Sequence, residues 1–288
     1  MDRRTAPVGT QTLIRGLDLL DHLADGPIGL DDLAQRMGLA RTTTHRLATA
    51  LIACGFLVFF PRRGYQLGPK LLELGFLAQA QVDIISAAKP HLEALALTTG
   101  DTVHLGRVEH DRVLYLDKIA GRRRVEISSR VGERQPLIST GLGKALLLDT
   151  SRAERRRIFD TDASAQSLPL DYDRWEGRMQ HYEKLGHAYD LEENEDQIRC
   201  VAAPIRDASG KIIAAVSVSS AAQYMEHDRM VGLGDIVAET ARTVGGVLGW
   251  REDAAQMRTP PGSVRGGRTA NASDHALADR AAPAQAGE

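Results

Sequence analysis

The sequence is poor in cysteine and in long apolar runs, and each shortage excludes a class of protein. Its two cysteines, Cys54 and Cys200, lie far apart, and neither has the spacing of a zinc site or of a Cys-x-x-Cys redox pair. The apolar runs stop well short of the ~20 residues that cross a bilayer, and the basic N-terminus lacks the apolar segment of a secretory signal. We therefore expect a cytoplasmic protein with no disulfide framework, no metal and no cofactor.

The remaining composition predicts a globular protein of two domains. The chain has 288 residues, of which 43% are hydrophobic and 26% are charged, and a chain of this length can bury a core in each of two units. The net charge of -2 argues against a protein that coats nucleic acid without specificity. A local basic face could still bind DNA, so the charge of the whole chain does not decide that question.

Periodicity and turn residues divide the chain into five segments and predict the α+β class. Residues 1–9 are predicted to be a flexible arm, and residues 251–288 a disordered tail. A helix-rich unit is expected over residues 10–77 and connecting helices over residues 78–98. A larger domain that mixes strands and helices is expected over residues 99–250.

Three short helices followed by a β-hairpin are predicted in the segment 10–77. Gly26-Pro27 ends the first helix, and Gly38 allows the sharp turn after the second. The third helix is predicted over about residues 41–54, with a buried side made of Leu47, Ala50 and Leu51. Residues 56–60 and 65–67 are predicted to be strands joined by a tight basic turn. This order is typical of a winged helix-turn-helix, in which the third helix enters the major groove of DNA.

The exposed side chains of that unit are the first candidates for a functional site. Short hydroxyl side chains alternate with longer hydrogen-bond donors at the start of the third helix, and adjacent arginines lie on the predicted wing. The predicted DNA-binding residues are Arg41, Thr42, Thr43, Thr44, His45, Arg46, Arg62 and Arg63. The alternative is that Thr42 merely caps the helix and that the basic residues form a solvated surface.

The larger domain is predicted from strand-like runs that alternate with helical segments. The expected strands are residues 102–107, 112–119, 124–128, 198–206 and 212–220. The expected helices are residues 143–148, 153–159, 172–185 and 228–250.

Two features of that domain indicate a ligand site. The loop Thr140-Gly141-Leu142-Gly143 comes directly before a helix, and its free N–H groups suit a carboxylate; it lacks the Gly-Lys-Ser/Thr ending of a nucleotide-binding loop. In the last strand, alternation places Ser217 and Ser219 on one face, where they could line a polar pocket. The alternative for these serines is an exposed strand face.

A cysteine-dependent enzyme is the competing interpretation. Cys200 would be the nucleophile, His187 or His181 the base and Asp190 the orienting group. However, Cys200 lies inside an apolar strand, with no helix N-terminus to lower the pKa of its thiol. We therefore predict a binding protein without catalytic residues.

Taken together, these segments resemble the IclR family of bacterial transcriptional regulators, from about Thr10 to Trp250. The motifs that carry the likeness are Tyr65-Gln66-Leu67-Gly68, Pro136 to Ala145, Asp190 to Glu195, and Cys200 to Ile205 with Asp207 and Gly210. The resemblance implies a winged helix-turn-helix, a linker helix and a GAF-like effector-binding domain. It also implies double-stranded operator DNA as a partner and assembly as a homodimer or a dimer of dimers.

The resemblance further implies an effector site and a regulatory role. In the family, small carboxylates are held at the positions that match Gly141, Leu142, Asp190, Cys200, Ser217 and Ser219. The motifs look closest to the sugar-acid regulators of the KdgR type, so we expect a regulator of catabolic genes, a repressor rather than an activator. The sequence departs from the family pattern at Asn194 to Gln197, where many members have a glycine, and at Ser219 to Ala222.

Overall fold

The structure is a computed structural model that describes residues 9–123, 127–166 and 171–252. Two compact units divide between Val82 and Asp83. The predicted tail, the predicted arm apart from Gly9 and most of the predicted strand 124–128 lie outside the described residues. Within the described ranges, no helix combines the length and the apolar character that a membrane span requires.

From residue 9 onward, the described part of the first unit consists of four helices and one β-hairpin. Its elements are α1 (Gln11–Asp21), α2 (Leu30–Met37), α3 (Arg41–Ala53), β1 (Leu57–Phe60), β2 (Gly64–Leu67) and α4 (Pro69–Gln81). Gly38 ends α2 in the left-handed conformation, at φ 61°, which glycine adopts without a steric penalty. This turn sets α3 against α2, as expected for a helix-turn-helix.

A small apolar core holds this unit together. Its buried members are Leu19, Leu23, Ile28, Leu33, Ala48, Leu57 and Tyr65. The prediction that Ala50 belongs to this core was wrong, because Ala50 is exposed. Thr44 and Ala48 form the buried stripe of α3, and Ala50 lies two residues and thus about 200° around the helix from Ala48.

The second unit is an α+β domain built on one antiparallel sheet. Its strands are β3 (Thr102–Glu109), β4 (Arg112–Ile119), β5 (Arg134–Gln135), β6 (Ala188–Leu191), β7 (Ile198–Arg206) and β8 (Ile212–Ala221). They follow the spatial order β5-β4-β3-β8-β7-β6. Its helices are α5 (Ile84–Thr99), α6 (Gly141–Leu146), α7 (Arg152–Gln166), α8 (Tyr172–Leu185) and α9 (His227–Val247).

The central strands of this sheet, β3, β7 and β8, are mostly buried, and their register decides which side chains become neighbours. Asp190 pairs with Cys200 across β6 and β7, and Cys200 pairs with Ser219 of β8. Ser217 pairs in turn with His104 of β3. Directly opposite residues of an antiparallel pair point to the same face, so this register gathers polar side chains on one face of the sheet. The α6 helix packs against β6, β7 and β8.

Candidate DNA-reading surface and ligand pocket

The first turns of α3 present a basic, polar surface. Arg41, Thr42, His45 and Arg46 are exposed, and Thr43 is half-buried. The N-cap residue is Ala40, with no side-chain hydrogen bond at the cap. The alternative in which Thr42 caps the helix is therefore wrong, and Thr42 is exposed like the basic residues around it.

Thr44 differs from its neighbours because it is fully buried. Its hydroxyl Oγ1 donates a hydrogen bond to the carbonyl oxygen of Ala40, at 3.3 Å. Thr44 thus packs under the reading surface and does not form part of it. The sequence could not show which of the three threonines is buried, since a threonine can either contact a DNA base or pack as a small residue in a core.

The hairpin of this unit carries two further arginines. Arg62 and Arg63 are exposed in the turn between β1 and β2, which the Arg63 N–H closes by donating to the carbonyl of Phe60 at 3.0 Å. Arg62 has a φ of 72°, the left-handed conformation that favours glycine. The strand β2 is tied to the rest of the unit through a bridge between Tyr65 and Ile28.

In the second unit, one cavity contains all the residues predicted to bind an effector. Gly141, Leu142, Asp190, Cys200, Ser217 and Ser219 all line it. The alternative in which the serines lie on an exposed strand face is wrong, because both are buried. Its volume of about 40 Å³ is several times the ~10–15 Å³ that one water molecule needs, so the cavity has room for a small molecule.

Three further lining residues lie in segments that the sequence had already singled out: Thr140 in the predicted loop, and Asn194 and Glu195 in the motif Asp190 to Glu195. The lining residues that sequence reasoning missed are His104, Tyr115, Ile127, Ser128, Ser129, Gln135 and Ile198. Most of them come from β3, β4 and the segment 127–129. A sequence pattern carries no signal for this set, since the strand register that brings β3 to β8 is a property of the folded chain.

The start of α6 forms one wall of the cavity. The hydroxyl of Thr140 accepts a hydrogen bond from the Gly143 N–H at 3.0 Å and donates one to the carbonyl of Pro136 at 2.6 Å. A Cβ atom on Gly141 would lie 2.2 Å from the Cys200 sulfur. Only glycine therefore allows α6 to approach β7 so closely while Cys200 keeps its position.

The opposite wall contains a neutral histidine. His104 stacks on Tyr115, with 5.1 Å between the ring centroids, and its Nε2 atom forms a 2.7 Å hydrogen bond with the Ser129 hydroxyl. The Lys118 ammonium donates to the carbonyl oxygens of Ile127 and Ser129. Burial, with a further contribution from the Lys118 charge, lowers the pKa of His104 to about 3, so the imidazole is uncharged near neutral pH.

A buried cluster of charged groups lies behind the cavity. Lys144 of α6 is 1% exposed and forms an ion pair with Glu193, and Arg178 of α8 lies 2.6 Å from the same carboxylate. Burial alone would raise the pKa of Glu193, but these two cations hold it below its ordinary value. Burial raises the pKa of Asp190, whose Oδ1 accepts a 2.9 Å hydrogen bond from the Glu193 N–H.

The proposed catalytic trio of the competing interpretation is not assembled. Burial, and then the charge of Asp190, raises the pKa of the Cys200 thiol to about 12, which removes the thiolate that a nucleophile needs. His187 instead forms a 2.9 Å hydrogen bond with the Tyr189 hydroxyl and packs against Gly234 of α9. Neither His187 nor His181 belongs to the cavity lining that the described residues form.

Comparison with known proteins agrees with this arrangement. Residues 12–59 match the family model of the IclR helix-turn-helix domain, and residues 77–245 match that of the bacterial transcriptional regulator IclR C-terminal domain. The DNA-binding transcriptional repressor YiaJ of Escherichia coli K12 is 30% identical over 261 residues, which cover 85% of this chain and 90% of YiaJ. The HTH-type transcriptional regulator KdgR of the same organism is 28% identical over 254 residues, covering 85% and 95% of the two chains.

Solved structures show the same fold. The crystal structure of Pseudomonas aeruginosa HmgR covers 84% of this chain and 99% of its own, with a TM-score of 0.73 and 21% identity. The C-terminal domain of E. coli KdgR, solved by itself, covers 59% of this chain and 100% of its own, with a TM-score of 0.51 and 27% identity.

The two family models together match parts of both units of the structure. The similar proteins named above are transcriptional regulators and not enzymes. The α+β fold with an N-terminal helix-turn-helix is thereby confirmed. The chain belongs to the IclR family, and it is a DNA-binding transcriptional regulator.

Proposed function

We propose that this regulator is a cytoplasmic repressor of catabolic genes, which binds its operator through α3 and the wing and binds a small organic acid or sugar acid in the cavity of the second unit. One observation carries the proposal: the residues expected to hold an effector, which are scattered over residues 141–219, converge on a single cavity. Binding of the acid would shift the population of DNA-binding states.

The DNA-reading half of the proposal rests on exposure and charge. Arg41 and Arg46 extend from the first turns of α3, and Arg62 and Arg63 from the wing. Arg41 forms an ion pair with Asp31 at 3.2 Å, with both side chains about 70% exposed. Such an exposed pair contributes about 0–1 kcal/mol, so a DNA phosphate can replace the aspartate at little cost. Thr42, Thr43 and His45 are the proposed contacts to base edges.

The effector half rests on the chemistry of the cavity wall. Hydroxyl groups of Ser128, Ser129, Ser217 and Ser219 line it, and hydroxyl-rich walls suit a ligand that itself carries several oxygen atoms. The N–H group of Leu142 adds a donor for a carboxylate at the same wall, whereas that of Gly141 hydrogen-bonds to the Cys200 sulfur. A sugar acid combines both requirements, which agrees with the similarity to KdgR. The repressor assignment follows the name of YiaJ.

The proposed mode of action needs more than one copy of the chain. We propose a homodimer, or a dimer of dimers, that binds a roughly palindromic operator, since two copies of α3 would then enter successive major grooves. The proposed domains are residues 10–77 for DNA binding, 78–98 for the connection and 99–250 for the effector.

The test is a gel-shift series with the intergenic DNA next to the protein's own gene. Replacing Arg41, Arg46 and Arg62 with alanine should weaken binding and make its dependence on salt shallower, by up to about 0.9 in the log–log slope per lost phosphate contact. Arg242→Ala, an exposed arginine on α9 paired with Glu239, is the matched control and should bind like the parent. Adding pyruvate or gluconate should release the parent protein from the DNA.

Two results would contradict the proposal separately. Unchanged binding by the triple variant would reject α3 and the wing as the reading surface. A parent complex that responds to none of a panel of two- to six-carbon acids would reject the effector half and leave the DNA-reading half intact.

A further inference from the structure

The cavity has an unusual composition for a site that binds acids. Among the described residues that line it there is no lysine and no arginine, whereas two carboxylates, Asp190 and Glu195, are present. An acidic ligand inside it would therefore face groups of its own charge, without a cation in direct contact. Burying an unpaired negative charge beside another is strongly unfavourable.

The cations nearest to the cavity are already engaged. Lys144 is buried and binds the Glu193 carboxylate and the carbonyl oxygen of Tyr189. Arg178 lies against the same carboxylate. Lys118, which pairs with His104 across β3 and β4, is held by two backbone carbonyl oxygens. Each of these groups would have to leave a buried partner in order to reach a ligand, and a buried group left without its partner costs several kcal/mol.

The positive and negative charges of the buried cluster are equal in number when Asp190 is ionised. Lys144 and Arg178 carry two positive charges, and Glu193 and an ionised Asp190 carry two negative ones. A carboxylate ligand next to Asp190 adds a third negative charge. If Asp190 gains a proton as the ligand enters, the cluster and the ligand are balanced again, and no buried cation has to move.

The groups that face Asp190 support such a proton. Cys200 of β7 lies directly opposite it, Tyr115 of β4 and Tyr182 of α8 sense its charge, and Lys144 and Glu193 flank it. Burial raises the pKa values of Cys200, Tyr115 and Tyr182, so these groups stay neutral. Two cations hold the pKa of Glu193 below its ordinary value, so Glu193 keeps its charge. This leaves Asp190 as the carboxyl group of this set that can change its charge.

We propose that Asp190 takes up one proton when the effector binds, and that its carboxyl O–H then donates a hydrogen bond to the effector's carboxylate. Asp190 thereby determines specificity for a monoanionic acid, in place of the arginine or lysine that usually binds a carboxylate. The inference rests on the proposed function, in which the effector is a carboxylic acid. The proton comes from solvent, and no covalent bond in the ligand changes.

The proposal makes the affinity for acids dependent on pH, with a defined sign. Below the pKa of Asp190 in the free protein the proton is already present, and the affinity is highest. Above that pKa each binding event must take a proton from solvent, so the apparent affinity falls by up to about tenfold per pH unit. Asp190→Asn keeps the shape and a hydrogen-bond donor but carries no charge, so its affinity should stay constant with pH.

The experiment measures binding of sodium gluconate and sodium pyruvate to the full chain by titration calorimetry, between about pH 6 and pH 8.5, around the range in which a buried carboxyl can titrate. Buffers of different ionisation enthalpy give the number of protons taken up. For the parent we expect this number to approach one at the alkaline end of the range and to fall as the pH is lowered, and for Asp190→Asn we expect none. Glu195→Gln is the matched control, a second carboxylate of the lining, and should keep the pH dependence of the parent.

The possible failures are distinguishable. Binding of either acid by the parent without proton uptake and with constant affinity overturns the role of Asp190 and leaves the proposed function standing. If neither acid binds at any pH, the result counts against the effector half of the proposed function, and this inference fails with it. The parent's proton uptake decides the question even if Asp190→Asn fails to fold.

Discussion

At the scale of single residues, the missing side chain of Gly141 decides whether the cavity can exist. A Cβ atom there would lie 2.2 Å from the Cys200 sulfur and 3.6 Å from the Cβ of Ala202. The first distance is far below van der Waals contact and the second is ordinary contact, so the conflict is with the sulfur alone. Burial of Cys200 leaves the sulfur little room to move away.

Gly141→Ala should therefore abolish the thermal stabilisation that a bound acid produces. Cys200→Ala removes the sulfur, so the double variant should regain the stabilisation, while Cys200→Ala alone should bind acid and lose only about 1 kcal/mol of stability from the small cavity it creates. Thermal unfolding with and without gluconate measures all three variants. A Gly141→Ala protein that responds like the parent, or a double variant that stays unresponsive, would contradict the steric explanation.

At this scale, the sequence predicted site residues that are marked by their local pattern, and it missed those that depend on the register between strands. Gly141 and Ser217 were predicted as site residues because their local pattern and the family resemblance both point to them, and both line the cavity. His104 was missed, since it becomes part of the site only through its pairing with Ser217. Thr44 was assigned to the reading surface because nothing in a run of threonines shows which hydroxyl turns inward.

At the scale of elements, short strands were predicted where a turn between them marked a hairpin and were missed elsewhere. The four-residue strands β1 and β2 lie close to the predicted bounds, whereas β5 and β6, of two and four residues, were not predicted. The strand β4 and the helix α8 have the predicted bounds, but the helix α7 was predicted only over residues 153–159. A strand of four residues or fewer shows too little alternation to be recognised by itself. The loop between β6 and β7 gives a reason for the glycine that many family members have here. Gln197 has a φ of 61°, a conformation in which a glycine is unstrained.

In the wing, a proposed DNA contact also has a residue other than glycine in the left-handed backbone conformation. Arg62 has a φ of 72°, which costs a residue with a Cβ about 1 kcal/mol. Arg62→Gly should therefore stabilise the first unit by up to about 1 kcal/mol and yet weaken DNA binding. Arg63→Gly is the matched control, since Arg63 lies outside the left-handed region; it should weaken binding and lower the stability.

Thermal unfolding and a gel shift at several salt concentrations measure both properties of the wing variants. We expect Arg62→Gly to be more stable and Arg63→Gly to be less stable than the parent, and both variants to bind DNA more weakly. An Arg62→Gly protein that binds DNA as tightly as the parent would show that the strained arginine is not kept for a phosphate contact, and the proposed role of the wing would fail.

At the scale of the whole molecule, the chain builds two separate cores. One contains Leu19, Leu33 and other residues of the first unit, and the other extends from Ala88 to Val244. Asp83 begins the second unit by capping α5, where its carboxylate accepts hydrogen bonds from the N–H groups of Ile85 and Ser86. A unit with its own core and its own helix cap can fold by itself, as the separately solved C-terminal domain of KdgR does.

A fragment of residues 83–252 should therefore fold, bind gluconate with the affinity of the full chain and fail to bind the operator fragment.

In calorimetry of the full chain, a bound acid should stabilise one unit by about RT ln(1 + [L]/Kd) in free energy and so raise the temperature of one unfolding transition. Operator DNA should raise the temperature of the other transition. This separation follows because every residue of the cavity belongs to the second unit and every proposed DNA contact to the first. A fragment that is unfolded, or a single transition that both ligands raise equally, would show that the two units are one cooperative structure, and the effector would then act on DNA binding through shared stability.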